Sequence, residues 1–451
     1  MKKLGSIAVC LALVLGMGAR GGCGGKSKAD ESARLTAHYA FDEGSGSVTR
    51  EQVSGKDKKI AYVFSAENQA NLYKEANDPL WRQGVSGKSL YMDGYSTYVQ
   101  DDAFPNIKDD FTVSAFIAPR AFELAEGSDF DLTAIAGKGD VTIEEGFLLG
   151  YGYLGDVTFV LNLYDPADDI TVKTVRITAP AARLSLYEWN HVAASYSVAD
   201  ARVTLYMNGA PVYQTLLSGC AGWKVQPSNE PFTVGQFVAA ASAGSYKRNT
   251  VAGLLDEVRM YDGELPAADV AALYAAVSDD LALPYSEVAL DASIFATDRY
   301  RPQYHAMPDG LWMNEPHAPI YYKGKYHLFF QHNAVGTYFA QIQWGHLVSD
   351  DMVSWKQVKN AVVRTEGVAD KGIWTGGSVI GPDGAPWLAV TAGVTQANGS
   401  GQNIAFAHPA DPNDPELTDW VLEKAVTVPQ TEGTTDQFRD PFVWCDGGVY
   451  Y

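Results

Sequence analysis

At 451 residues the chain is long for one hydrophobic core and suits two domains. Its 54 acidic against 34 basic residues give a formal net charge of −20, a field that repels nucleic-acid backbones and suits neutral or cationic ligands. The four cysteines and eight histidines include no CxxC and no HExxH, so neither a metal centre nor a cofactor is expected.

The chain begins with MKKLGSIAVCLALVLGMGA, two lysines followed by a short apolar run, which reads as an export signal over residues 1–22 and not as a membrane span. Cys23 then opens a polar, glycine-rich tether over residues 23–34. The arrangement resembles a bacterial lipoprotein signal. That resemblance implies lipidation of Cys23, a cell-surface or extracellular location, and membrane contact through the lipid alone; plain secretion is the alternative. A disulfide between Cys220 and Cys445 is not expected, because they fall in different regions.

Residues 35–285 read as strands. FTVSAFIAPR (111–120), VTFVLNLYD (157–165), WNHVAASYS (189–197) and RVTLYMNG (202–209) alternate or run apolar, and Asn208-Gly209 marks a tight hairpin. Only DVAALYAAV (269–277) reads as a short helix. The fold class that follows is all-β, beginning with a sandwich of antiparallel sheets. HYAFDEGSG, GKSLYMDG, EWNHVAASYS and LLDEVRMYDGEL resemble, in order and spacing, a laminin-G or concanavalin-like jelly roll. Such modules bind sugars, some of them with calcium. Asp256 and Glu257 stand as candidate metal ligands, although a strand start satisfied by backbone or solvent explains them better. Trp189 is expected to fill core.

After a linker at residues 286–299 the pattern changes. PIYYKGKYHLFFQHN (319–333), IQWGHLVSDDMVSWKQV (342–358), SVIGPDGAPWLAV (378–390) and QNIAFAHP (402–409) are short strands split by KG, DD and DG turns. Radial sheets fit this pattern, as in a propeller, and so does a second sandwich. The pair His327 and His332 lies in strand-like sequence and reads as packing or polar support.

Glycosidases place two carboxyl groups across the scissile bond, and in a propeller these come from different blades. Glu315, within WMNEPHAP, and Asp440, within FRDP, are the candidate catalytic residues. Asn314, Gln331, Trp312, Trp344, Trp374 and Arg439 are candidate substrate-binding residues, each tryptophan being equally a candidate for blade core.

The run HAMPDGLWMNEPHAPIYYKGKYHLFFQHN, with WGHLVSDDMVSWKQ, WTGGSV and FRDP following in order, resembles the opening half of the five-bladed propeller of glycoside hydrolase family 32. That family comprises invertases, levanases and inulinases. The resemblance implies retaining hydrolysis of β-fructofuranosidic bonds in fructans or sucrose-like sugars. Glu315 takes the nucleophile's place, Asp440 holds sugar hydroxyls in the transition state, and Arg439 orients nearby carboxylates. Fructosyl transfer and non-catalytic glycan binding at the cell surface are the alternatives; the expected partner is a fructan or fructo-oligosaccharide, not nucleic acid. Two departures stand out. The family motif has Asp where this chain has Glu315, with His317 after the proline in place of Asn. The family's general acid, a glutamate followed by cysteine beyond the RDP motif, has no counterpart after Asp440. The expectation is a truncated propeller that turns over little substrate by itself.

Overall fold

The computed structural model describes residues 33–63, 78–122, 132–168, 170–237, 242–243, 246–247, 249–277, 281–296, 298–302, 304–340, 342–396, 399–424 and 438–451. The expected export signal and Cys23 lie outside these residues. Among the described residues no helix is long and apolar enough to cross a membrane.

The first region is two packed antiparallel sheets. Strand Phe111–Pro119 sits at the centre of one and is buried at all nine positions. It pairs with Asn190–Ser197 on one side and Ala252–Asp262 on the other. The sheet continues through Arg202–Met207 to Ala210–Leu216. The hairpin between these last two turns on Asn208 and Gly209, both at positive φ (49° and 76°), the geometry that matches strand twist. The second sheet runs Val172–Arg183, Asp156–Tyr164, Phe147–Tyr151, Thr133–Lys138, Phe232–Val234 and Tyr98–Asp101. Strand Lys56–Ala61 pairs into both sheets and so turns the corner between them.

Between the layers lie Phe111, Phe147 and Phe159, with the first two ring centroids 4.7 Å apart. Burying one such side chain contributes about 1.5–3 kcal/mol. Helix Ala267–Ala275 carries Asp269 in its first turn, where a negative charge suits the helix dipole.

Asp256 and Glu257 sit where strand Ala252–Asp262 changes partners, from Lys88–Asp93 to Arg34–Tyr39. A bulge at that switch puts Glu257 at φ 53°. Both carboxylates are engaged by the chain itself. Asp256 Oδ2 accepts the Ser86 N–H at 3.2 Å, while Glu257 accepts from Arg259 and faces His38 Nε2 at 3.1 Å. Among the described residues no group of three His, Cys, Asp or Glu is placed to hold a metal ion. Cys220 and Cys445 are free thiols.

The outer face of the first sheet is covered by the segment that leads to the second region. Phe116, Ala118 and Trp189 on the sheet pack against Leu281, Leu283, Tyr285, Val288 and Leu290. This segment, which the composition marks as a linker, forms a short helical turn at Tyr285–Val288 and a 3₁₀ turn at Ala292–Phe295. Its physical job is to bury a second apolar face of the central sheet. The Arg120 guanidinium, also buried, donates to Asp93 O (3.2 Å), Val288 O (3.4 Å), Ala334 O (3.2 Å) and the Tyr91 hydroxyl, joining sandwich, segment and second region. Gly94 makes the same junction possible, since a Cβ there would lie 2.2 Å from the Val335 carbonyl oxygen. Arg183 meets Glu366 (2.7 Å) and Arg364 donates to Phe122 O (2.8 Å) across it.

The second region holds two four-stranded meanders. The first is Trp312–Tyr322, Lys325–Asn333, Ile342–Ser349 and Lys356–Val362; the second is Gly372–Ile380, Pro386–Gln396, Gly399–Pro409 and Trp420–Leu422. A hairpin of Cys445–Asp446 and Val449–Tyr450 follows. Phe329, Trp344, Ile373, Leu388 and Val390 form one core between the two sheets. Each sheet is a consecutive four-stranded up-and-down meander, and the first strands of the two, Trp312–Tyr322 and Gly372–Ile380, lie side by side, the arrangement of successive propeller blades.

Candidate active site

The innermost strands of the two blades, Trp312–Tyr322 and Gly372–Ile380, carry the site, and each is bulged there. In the first, Met313 pairs with His332 and Pro316 with Phe330, so Asn314 and Glu315 together oppose the single residue Gln331. In the second, Trp374 pairs with Thr391 and Gly376 with Val390, which leaves Thr375 as the extra residue. A bulge of this kind re-aims side chains away from the regular alternation. Pro316, having no N–H, leaves no ladder donor stranded at the bulge.

The re-aimed groups converge. Gln331, nearly buried, donates from Nε2 to Glu315 Oε1 (3.1 Å) and to Thr375 Oγ1 (2.7 Å), and accepts from Asn314 Nδ2 (3.3 Å). The Thr375 hydroxyl donates to Glu315 Oε1 in turn. Glu315 is itself exposed. One carboxylate oxygen is thus held by donors from two blades, and Oε2 accepts no hydrogen bond from the described residues. A carboxylate fixed at one oxygen and open at the other is what covalent catalysis at a sugar carbon asks for.

The loop after the second blade brings the Asp440 backbone to the strand that carries Thr391. The Asp440 N–H donates to Thr391 Oγ1 (2.8 Å), whose hydroxyl donates to Thr375 O (2.8 Å). Asp440 sits at φ 60°, and its carboxylate lies 3.7 Å from Arg439 Nε, both side chains being about half exposed at 52% and 46%. The loop runs close to the inner strand: a Cβ on Gly377 would come within 3.1 Å of Pro441 O.

The three tryptophans part company. Trp344 is 0% exposed, donates from Nε1 to Trp374 O at 2.8 Å and packs on Phe329 and His317, so its ring is blade core and presents no face to a ligand. Trp312 is half-buried and meets the exposed Phe339 edge-on, with centroids 5.3 Å apart. Trp374 is half-buried over Gly393. Burial holds His317 down to about 4, so it is a neutral imidazole at neutral pH. His327 and His332 do not meet each other. His327 Nδ1 faces His346 Nε2 (3.0 Å), and His332 Nδ1 faces Asn360 Oδ1 (3.1 Å), which places both in polar support of the blade.

Sequence reasoning singled out Glu315, Asn314, Gln331, Arg439 and Asp440, and passed over Thr375 and Thr391. Thr375 lies within WTGGSV, but a threonine in a strand carries no functional signal of its own.

Residues 305–451 match the model described as glycosyl hydrolases family 32 N-terminal domain, and residues 93–271 the concanavalin A-like lectin/glucanases superfamily. The chain is 41% identical over 143 residues to an acid beta-fructofuranosidase of Phaseolus vulgaris and, over the same length, to one of Solanum lycopersicum. These matches take in 31% of this chain and 22% of each relative, so the chain spans under a quarter of their length. The crystal structure of fructan 1-exohydrolase IIa from Cichorium intybus is similar at 35% identity over 32% of this chain and 27% of that one, with a TM-score of 0.30. The two-bladed region over residues 305–451 is thus the part of the chain that matches the glycosyl hydrolases family 32 N-terminal domain, and the sandwich before it carries the match to the concanavalin A-like superfamily.

Proposed function

We propose that the protein hydrolyses β-fructofuranosidic bonds with retention of configuration. Glu315 Oε2 attacks the anomeric carbon of a fructosyl unit as the bond to the leaving oxygen breaks and that oxygen takes a proton. Water, giving up a proton, then cleaves the fructosyl–enzyme ester and frees Glu315. Asp440 accepts hydrogen bonds from ring hydroxyls that tighten as the sugar becomes oxocarbenium-like. The family order puts the proton donor at a glutamate after Asp440, and the role is assigned to none of the described residues. The observation that carries this reading is the Glu315 carboxylate, pinned at Oε1 by Gln331 and Thr375 and open at Oε2. The names of the two relatives, both acid beta-fructofuranosidases, support the same substrate class.

The test is release of fructose or fructo-oligosaccharide by the full-length protein from levan, inulin and sucrose. Glu315→Gln is expected to abolish it; full activity in that variant would remove Glu315 from the chemistry. One feature favours a second reading, glycan binding without cleavage, namely glutamate where the family motif has aspartate. Tight fructan binding by a full-length protein that cleaves nothing would establish it. Product analysis at high sugar concentration separates hydrolysis from fructosyl transfer. We further propose a lipid anchor at Cys23, which an intact mass without acyl addition would exclude.

A further inference from the structure

We propose that Thr391 is a positioning residue that sets Asp440 and Thr375 in register with Glu315, a proposal that rests on the hydrolase reading above. Thr391 is fully buried in the second strand of the second blade, paired with Trp374 across the ladder. The bulge after Trp374 takes the Thr375 carbonyl out of the ladder. The Thr391 hydroxyl supplies the donor that this carbonyl needs, at 2.8 Å. The same oxygen accepts the Asp440 N–H at 2.8 Å.

One hydroxyl therefore holds both the strand that aims Thr375 at Glu315 and the loop that carries Asp440. Asp440 needs such a hold. Its φ of 60° lies in the left-handed region, which aspartate reaches more readily than most side chains but which a hydrogen bond from its own N–H helps to hold. Its side chain is half exposed, and Arg439, 3.7 Å away, is half exposed as well. The hydrogen bond to the buried Thr391 hydroxyl holds the Asp440 backbone, the base from which the carboxylate projects.

Thr391→Val keeps the shape and removes the hydroxyl, leaving the Thr375 carbonyl and the Asp440 N–H unpaired. Thr391→Ser keeps the hydroxyl. In the full-length protein the Val variant is expected to lose kcat by about tenfold to a hundredfold with KM little changed, because misplacement by about 1 Å is enough for such a loss. The Ser variant is expected to stay near wild type. In an Asp440→Asn background the Val substitution is expected to add nothing further, the signature of two residues acting as one unit. Amide exchange supplies a readout apart from turnover: the Asp440 N–H is expected to be protected in the wild type and Ser variant and to exchange about tenfold faster or more in the Val variant. Unchanged exchange at Asp440, wild-type kcat in Thr391→Val, or a full additional loss on top of Asp440→Asn would each overturn the proposal. If the wild type cleaves no fructan, the hydrolase reading falls and the exchange rates alone decide for or against the anchor.

Discussion

Glu315→Asp restores the residue that the family motif carries and is the sharpest probe of the site. The substitution withdraws the carboxylate by about 1.5 Å, one C–C bond, if the bulged backbone stays in place. Gln331 Nε2 now donates to Glu315 Oε1 at 3.1 Å, and withdrawal on that scale opens the contact past hydrogen-bonding reach. Gln331 keeps its 2.7 Å bond to Thr375, but the second N–H of its amide loses its acceptor, so the fold should lose about 1 kcal/mol. The chemistry should lose far more. A reacting atom misplaced by about 1 Å costs on the order of a hundredfold in rate, about 2.7 kcal/mol of transition-state stabilisation. The assay is initial-rate fructose release by full-length protein over a range of inulin concentrations, with urea midpoints measured alongside. The expected result is a kcat down about a hundredfold with a midpoint lowered only as far as the roughly 1 kcal/mol of the lost hydrogen bond takes it. An aspartate variant as fast as the wild type, or faster, would show that the bulge does not seat the carboxylate for glutamate length, and the reasoning from Gln331 and Thr375 would fail.

Three further outcomes follow from buried charge. His317, His327 and His332 are each lowered by burial from 6.5 to about 4, so the unfolded chain takes up protons before the folded one does. Their contribution to stability is complete above 6.5 and is lost as the pH falls towards 4, on the order of 3 kcal/mol for each histidine; the urea midpoint should drop across that window, and His332→Gln should flatten the drop. Burial pushes Asp256 from 3.8 up to about 8, so its folded form keeps a proton that the unfolded chain gives up, and stability falls as the pH rises between those values. Asp256→Asn should therefore raise the urea midpoint at pH 8 relative to wild type by more than at pH 4, and an equal change at both would refute the assignment. Arg120→Met strands the carbonyls of Asp93, Val288 and Ala334 and should cost about 3–5 kcal/mol, read by chemical denaturation together with faster proteolysis between residues 281 and 296.

Much of the fold can be read from the chain because it is written locally. Asn208-Gly209 announces its hairpin through the backbone freedom those residues have at positive φ. Strand Pro386–Gln396 likewise shows in its run of small apolar and β-branched residues. What stays hidden depends on partners far along the sequence. Nothing in SDDLALPYSEVALDASIF tells that Leu283 and Val288 will cover Trp189, because a short, Pro-containing acidic stretch looks the same whether solvated or docked. In the site, Glu315, Gln331 and Asp440 stand out through ordered motifs. The two bulges do not, since a one-residue slip in pairing is set by the neighbouring strand and leaves little mark in its own sequence. Thr375 and Thr391 stay invisible for that reason. Trp344 and Trp374 share a residue type and a motif-like setting, and only packing separates the buried ring from the half-exposed one.

The Arg120 junction bears on how the two regions can act together. Two modules on a slack tether search for neighbouring sites on a chain, and their mutual reinforcement depends on tether length. Here the segment between them is plated onto the sandwich and stapled to Ala334, which removes that search. Whatever the first region holds would therefore stand at an offset from Glu315 that packing sets and tether length does not, like a fixed jig beside a tool.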